Sequence, residues 1–108
     1  MAHTITTGNF EELVKNSGKV ALVDFWAAWC GPCRMVGPVV EEIATEMGET
    51  AVIGKVDVDA EGDLAMEFGI RNIPTLLFFK DGQVVDKHVG VATKKQLQDK
   101  LAALMENE

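Results

Sequence analysis

The run Val20-Ala21-Leu22-Val23-Asp24-Phe25-Trp26 constrains this chain more than any other segment. With a single polar member it leaves no face for water, so it describes a strand covered on both sides. Such a strand belongs in a sheet with helices packed on its faces. The residues that follow supply one of those helices. Pro32 suits a first helical position. Val36, Val40, Ile43 and Met47 recur at helical spacing, and Gly48 stands just past the last of them. Pro38 lies inside this helix, removes one backbone hydrogen bond and predicts a kink.

The rest of the chain repeats the alternation. Phe10, Leu13 and Val14 predict a short helix over Asn9–Lys15, capped by Asn9 or Thr7 and ended by Gly18. Ala51–Val58 reads as a second interior strand. Leu64, Ala65 and Phe68 mark a short helix that Gly69 ends. Thr75–Phe79 is a third strand, and Asp81-Gly82 is a type I′ turn signal, so Gln83–Val89 should return antiparallel. Leu97, Leu101 and Leu104 define a closing helix, and Glu106-Asn107-Glu108 reads as a frayed tail. The order is strand–helix–strand–helix–strand–helix, then a hairpin, then a helix. It predicts an α/β layer fold with a mixed sheet, parallel in its first half and antiparallel in its second. Phe10, Phe25, Trp26, Phe68, Phe78 and Phe79 are expected in the core.

Composition narrows the function. A chain of 108 residues is the size of one domain and buries a core without a disulfide framework or a metal. Its formal charge of −7 argues against nucleic acid and against anionic membrane surfaces. The apolar runs are too short to span a bilayer. The start, Met1-Ala2-His3-Thr4-Ile5-Thr6, has no basic or apolar leader pattern, and two cysteines are too few for a secreted disulfide scaffold. A cytoplasmic location is expected. No GxGxxG or GxxxxGKS loop is present, so no nucleotide cofactor is expected.

Those two cysteines carry the chemistry. Trp29-Cys30-Gly31-Pro32-Cys33 sits where the buried strand gives way to the long helix. Unpaired N–H groups and partial positive charge at a helix N-terminus favour a thiolate at Cys30, and Cys33 follows one turn later. Three readings compete. A structural disulfide closing so small a loop contributes only about 2 kcal/mol. A zinc site needs about four ligands, yet there is no second CxxC, and His3 and His88 lie near opposite ends of the chain. A redox dithiol needs only the pair and its position beside a strand–helix unit, and it is the reading the spacing favours.

Asp24 interrupts the apolar strand, where an ionised carboxylate is disfavoured and its pKa should rise toward neutrality. That suits an acid–base group able to accept the proton of Cys33. The alternative is a buried carboxyl satisfied by hydrogen bonds. Lys55 on the neighbouring strand is the expected charge partner, with a surface lysine at a strand start as its alternative.

Trp26-Ala27-Ala28-Trp29-Cys30-Gly31-Pro32-Cys33-Arg34-Met35 resembles the active-site signature of the thioredoxin family. The likeness extends over the whole chain, residues 1–108, as one domain. It includes Asp24, Pro38, Lys55-Val56-Asp57-Val58-Asp59, Gly69-Ile70-Arg71-Asn72-Ile73-Pro74-Thr75, Asp81-Gly82 and Gly90. The resemblance implies a thioredoxin fold, with a central five-stranded mixed sheet flanked by four helices. It implies reduction of client-protein disulfides, with re-reduction by thioredoxin reductase fed by NADPH; a monomer is expected. It favours the Asp24–Lys55 pairing and implies a cis Ile73–Pro74 bond beside the cysteines. It also implies a flat apolar docking patch of Trp29, Gly31, Pro32, Ile73, Pro74, Val89, Gly90 and Val91; ordinary strand packing is the alternative for Val89 and Val91. The departures are Ala28 at a variable position, Gly37 ahead of Pro38, where it loosens the kink, and His88 near the docking surface, where it is placed to adjust partner choice. Two other functions use the same fold: a non-redox binding subunit or scaffold, which needs neither cysteine, and an oxidase or isomerase. Gly31-Pro32 between the cysteines resembles the reducing branch.

Overall fold

The computed structural model describes residues 1–106. Five strands form one mixed sheet: β1 (His3–Thr4), β2 (Ala21–Trp26), β3 (Val52–Asp57), β4 (Thr75–Lys80) and β5 (Gln83–Val89), in the order β1-β3-β2-β4-β5. β1, β3 and β2 run parallel, whereas β4 pairs antiparallel with β2 and β5 antiparallel with β4. The helices are α1 (Glu11–Lys15), α2 (Cys33–Met47), α3 (Gly62–Glu67) and α4 (Lys94–Glu106). These are the five strands and four helices that the resemblance implied.

β2 is central, which explains its unbroken apolar run. Leu22 packs with Val36, Val40 and Ile43 of α2 and Leu97 of α4 on one face. Val23 and Phe25 pack with Phe10, Val14, Leu64 and Phe79 on the other. Strand residues point alternately to opposite faces, so a strand sandwiched between two cores must be apolar at every step. The same alternation puts Asp24 and Trp26 on the α2 side.

Several local readings need correction. β1 is only two residues long and both are exposed, so no alternation in the sequence announces it. It is held by pairing His3 with Gly54 and Thr4 with Lys55. Gly54 allows the close approach, since a Cβ there would lie 2.5 Å from Ile5 Cγ1. α1 is wound more widely than an ordinary helix, with Asn16 N–H donating to Glu11 O at 2.8 Å. Neither Thr7 nor Asn9 caps it with a side chain. Instead Thr6 N–H donates to Asn9 Oδ1 at 2.7 Å and Asn9 N–H to Thr6 Oγ1 at 3.2 Å, a reciprocal pair that closes the preceding turn. Pro32 stands one residue ahead of α2 with helical angles, and α2 runs on through Pro38 to Gly48, whose φ of 54° ends it. Asp81 and Gly82 both have positive φ, as a type I′ turn requires. Phe10, Phe25, Phe78 and Phe79 are core, but Trp26 and Phe68 are only half-buried. Glu106 closes α4 rather than fraying; Asn107 and Glu108 lie outside the described residues. Among the described residues, no helix is long and apolar enough to cross a membrane.

Candidate active site

The turn between β2 and α2 puts both cysteines at a helix N-terminus. Cys30 N–H donates to Ala27 O at 3.2 Å, and Cys33 opens the helix. The two are joined by a disulfide, with their Cα atoms 5.3 Å apart. Cys33 N–H, one of the amides of the first turn with no helical partner, donates to Cys30 Sγ at 3.2 Å. The same donor favours a thiolate on Cys30 once the disulfide opens. Each cysteine is only 4% exposed, so exposure does not tell them apart. Their neighbours do. Trp29, beside Cys30, is 68% exposed, Gly31 and Pro32 are exposed, and nothing lies within 4 Å of the position a Cβ would take at Gly31. Cys33 instead lines a cleft behind the pair.

Residues distant in sequence complete the surroundings. Ile73 packs against Ala27, Cys30 and Cys33, and its carbonyl oxygen lies 3.8 Å from Cys30 Sγ. The Ile73–Pro74 bond is cis, as the resemblance implied. Pro74 O accepts from Gly90 N–H at 2.8 Å, which ties the end of β5 to the cysteine turn. Val89 and Val91, on either side of Gly90, are about half exposed. This exposure argues against simple strand packing for them. Pro74 itself is buried, so of the eight patch residues it contributes support rather than surface. His88 Nε2 lies 3.1 Å from Val91 O and thereby braces the same loop. On the other flank, Trp29 Nε1–H donates to Asp59 Oδ2 at 2.9 Å. Sequence reasoning quoted Asp59 within a motif but gave it no role.

Asp24 is fully buried, and among the described residues neither carboxyl oxygen has a hydrogen-bond partner. No side chain or backbone group among the described residues supplies the hydrogen bonds that a satisfied carboxyl would need. Burial pushes the Asp24 carboxyl up to about 7, against the attraction of Lys55. Strand register sets Asp24 beside Lys55. The lysine nonetheless makes no ion pair with it: Lys55 Nζ lies 3.8 Å from Glu41 Oε2 on α2 and 5.1 Å above the Trp26 ring. The expected pairing is thus an attraction through space, and the direct carboxylate contact of Lys55 belongs to Glu41, a residue the sequence reading passed over. A helical acidic residue facing solvent in pattern carries no local sign of reaching back to a strand. Trp26, Ala28, Cys33, Gly37, Glu41 and Lys55 line the cleft, whose volume is about 450 Å³. Among the described residues, no three His, Cys, Asp or Glu side chains group as metal ligands.

The thioredoxin family profile matches residues 1–103. The chain belongs to the thioredoxin family. It is 52% identical over 96 residues to thioredoxin 2 of Chlorobaculum tepidum, covering 89% of this chain and 88% of that one. It is 48% identical over 101 residues to thioredoxin 1 of Synechococcus elongatus, covering 94% of each. The crystal structure of Malassezia sympodialis thioredoxin (Mala s 13) superposes with a TM-score of 0.85 at 41% identity, over 95% of this chain and 90% of that one. With its close CxxC pair, this thioredoxin-family chain is a protein dithiol–disulfide oxidoreductase, a protein-disulfide reductase. Its family interacts with thioredoxin reductase and with disulfide substrates generally.

Proposed function

We propose that the chain is a general reductant of protein disulfides, working as a monomeric single domain over residues 1–108 in the cytoplasm. Cys30 is the attacking group. Its thiolate forms a bond to one sulfur of a client disulfide and expels the other as a thiolate, giving a mixed disulfide. Asp24, as carboxylate, takes the thiol proton of Cys33. The Cys33 thiolate then attacks Cys30 Sγ, the mixed disulfide breaks, and the second client sulfur leaves. The client gains two electrons and the Cys30–Cys33 pair loses two; thioredoxin reductase, fed by NADPH, returns them. Lys55 tunes Asp24 through space. Trp29, Gly31, Pro32, Ile73, Val89, Gly90 and Val91 form the docking surface, Pro74 supports it from below, and the Ile73 backbone pairs with an extended client segment.

The observation that carries this reading is the Cys33 N–H donated to Cys30 Sγ. It gives one sulfur of the pair a preorganised stabiliser of negative charge beside an open surface. A pure scaffold gains nothing from a buried carboxyl with no partner, which costs stability. Reduction of insulin driven by dithiothreitol, and NADPH oxidation coupled through thioredoxin reductase, test the function. Both should be lost in Cys30→Ser; unchanged rates in that variant reject the assignment. Titration against glutathione separates a reductant from an oxidase, because a couple more oxidising than the glutathione pool excludes the reductant.

A further inference from the structure

The Asp24 side chain faces a small set of groups. Across β4 its register neighbour is Leu76, which is apolar. Across β3 it is Lys55. From α2, Cys33, Arg34 and Glu41 line the cleft that Lys55 shares. Lys55 is the strand neighbour whose ammonium would quench the Asp24 carboxyl by pairing with it, and register alone favours that pairing. The side chain turns away instead, to Glu41 Oε2. Glu41 is itself held in place, because its other oxygen accepts the Ala2 N–H at 2.8 Å. A backbone anchor thus fixes the carboxylate that Lys55 approaches.

We propose that Glu41 is a positioning residue for Asp24: it holds the Lys55 ammonium against helix α2 and so leaves the Asp24 carboxyl without an ion pair, free to take up and return a proton. The proposal rests on the acid–base reading of Asp24 given above. Its physical basis is competition. One ammonium cannot sit against two separate carboxylates at once, and the contact that Lys55 makes is with the partly exposed Glu41 and not with the buried Asp24. With Glu41 neutral, Lys55 turns inward and stabilises ionised Asp24.

The test is a titration of the Asp24 carboxyl by carbon-detected NMR in the oxidised protein, where the cysteines carry no titrating proton. In Glu41→Gln the Asp24 midpoint should fall by about half a pH unit to one unit. In a Lys55→Met background the same substitution should change it by less than about a third of that, because the intermediary is gone. Glu42→Gln, on the exposed neighbouring position, should leave it unmoved. Glu41→Ala gives a second variant should the amide create a new contact with Lys55. An Asp24 midpoint in both Glu41 variants equal to that of the wild type overturns the proposal, as does a shift that persists undiminished without Lys55. The pH profile of insulin reduction separates the two layers. If the NMR midpoint moves while Asp24→Asn retains full activity at every pH, Glu41 positions Lys55 but the acid–base reading of Asp24 fails. If Asp24→Asn slows turnover and the midpoint stays put, that reading stands and the role of Glu41 fails.

Discussion

Replacing Asp24 by Asn should make the protein more stable, by an amount that grows with pH. The carboxyl rises from its ordinary 3.8 to about 7 on folding. Between those values the folded chain holds a proton that the unfolded chain has released. Stability therefore falls as pH rises through this window and levels off above about 7. At about 1.36 kcal/mol per pH unit, ionised Asp24 costs on the order of 4 kcal/mol above the window, and on the order of 1.5 kcal/mol has already been lost at pH 5. An amide at this position does not ionise, and its unpaired polar atoms cost about what those of the neutral carboxyl cost, roughly 1–3 kcal/mol. The advantage of Asp24→Asn over wild type should thus increase by about 2.5 kcal/mol between pH 5 and pH 8, roughly 10 °C in Tm for a domain of this size. The assay is urea unfolding of both oxidised proteins at pH 5, 6, 7 and 8. All other titrating groups cancel in the difference, leaving Asp24 alone. A difference that stays constant within about 0.5 kcal/mol across this range would refute the claim that a desolvated, unpaired carboxyl sits in the folded core.

Other consequences are simpler to check. Cys33→Ser should trap a covalent mixed disulfide with client proteins, seen as an adduct on non-reducing gels, because the resolving thiol is missing; no recoverable adduct would contradict the assigned order of attack. Val91→Glu, on the half-exposed loop held by Gly90 and His88, should raise KM for insulin roughly tenfold, about 1.4 kcal/mol, and leave reaction with a small aromatic disulfide nearly unchanged. Equal effects on both substrates would place Val91 outside the docking surface. Gly82→Ala should destabilise the β4–β5 hairpin by about 1–3 kcal/mol in urea unfolding, since φ is 77° and a Cβ would lie 2.7 Å from the Lys15 carbonyl oxygen; a variant as stable as wild type would show that this turn is free to relax.

The run Val20–Trp26, the helical spacing from Val36 to Met47 and the Asp81-Gly82 turn were sufficient to derive an α/β fold with a mixed sheet. Each is a local pattern whose period or turn chemistry admits one backbone state. The CxxC pair at the strand-to-helix junction was equally legible, because both the motif and the helix start are marked by the same few residues. β1 was not legible: two exposed residues carry no period, and only pairing with β3 makes them a strand. The turn that leads into α1 also escaped, since Thr6, Thr7 and Asn9 all offer side-chain oxygens to nearby N–H groups and the chain path decides which are used.

The site divides along the same line. Sequence alone determined that Asp24 is a carboxyl in an apolar strand, and so that its proton is held unusually tightly. Tertiary structure decided that its oxygens find no hydrogen-bond partner among the described residues, that Lys55 turns to Glu41, and that Gly90 is tied to Pro74 next to Ile73 and Cys30. The reason is range. Propensity, periodicity and turn signals act over a few residues, whereas a side chain chooses among partners brought near by packing of distant segments, and that choice is made only once the sheet and helix α2 have closed around it.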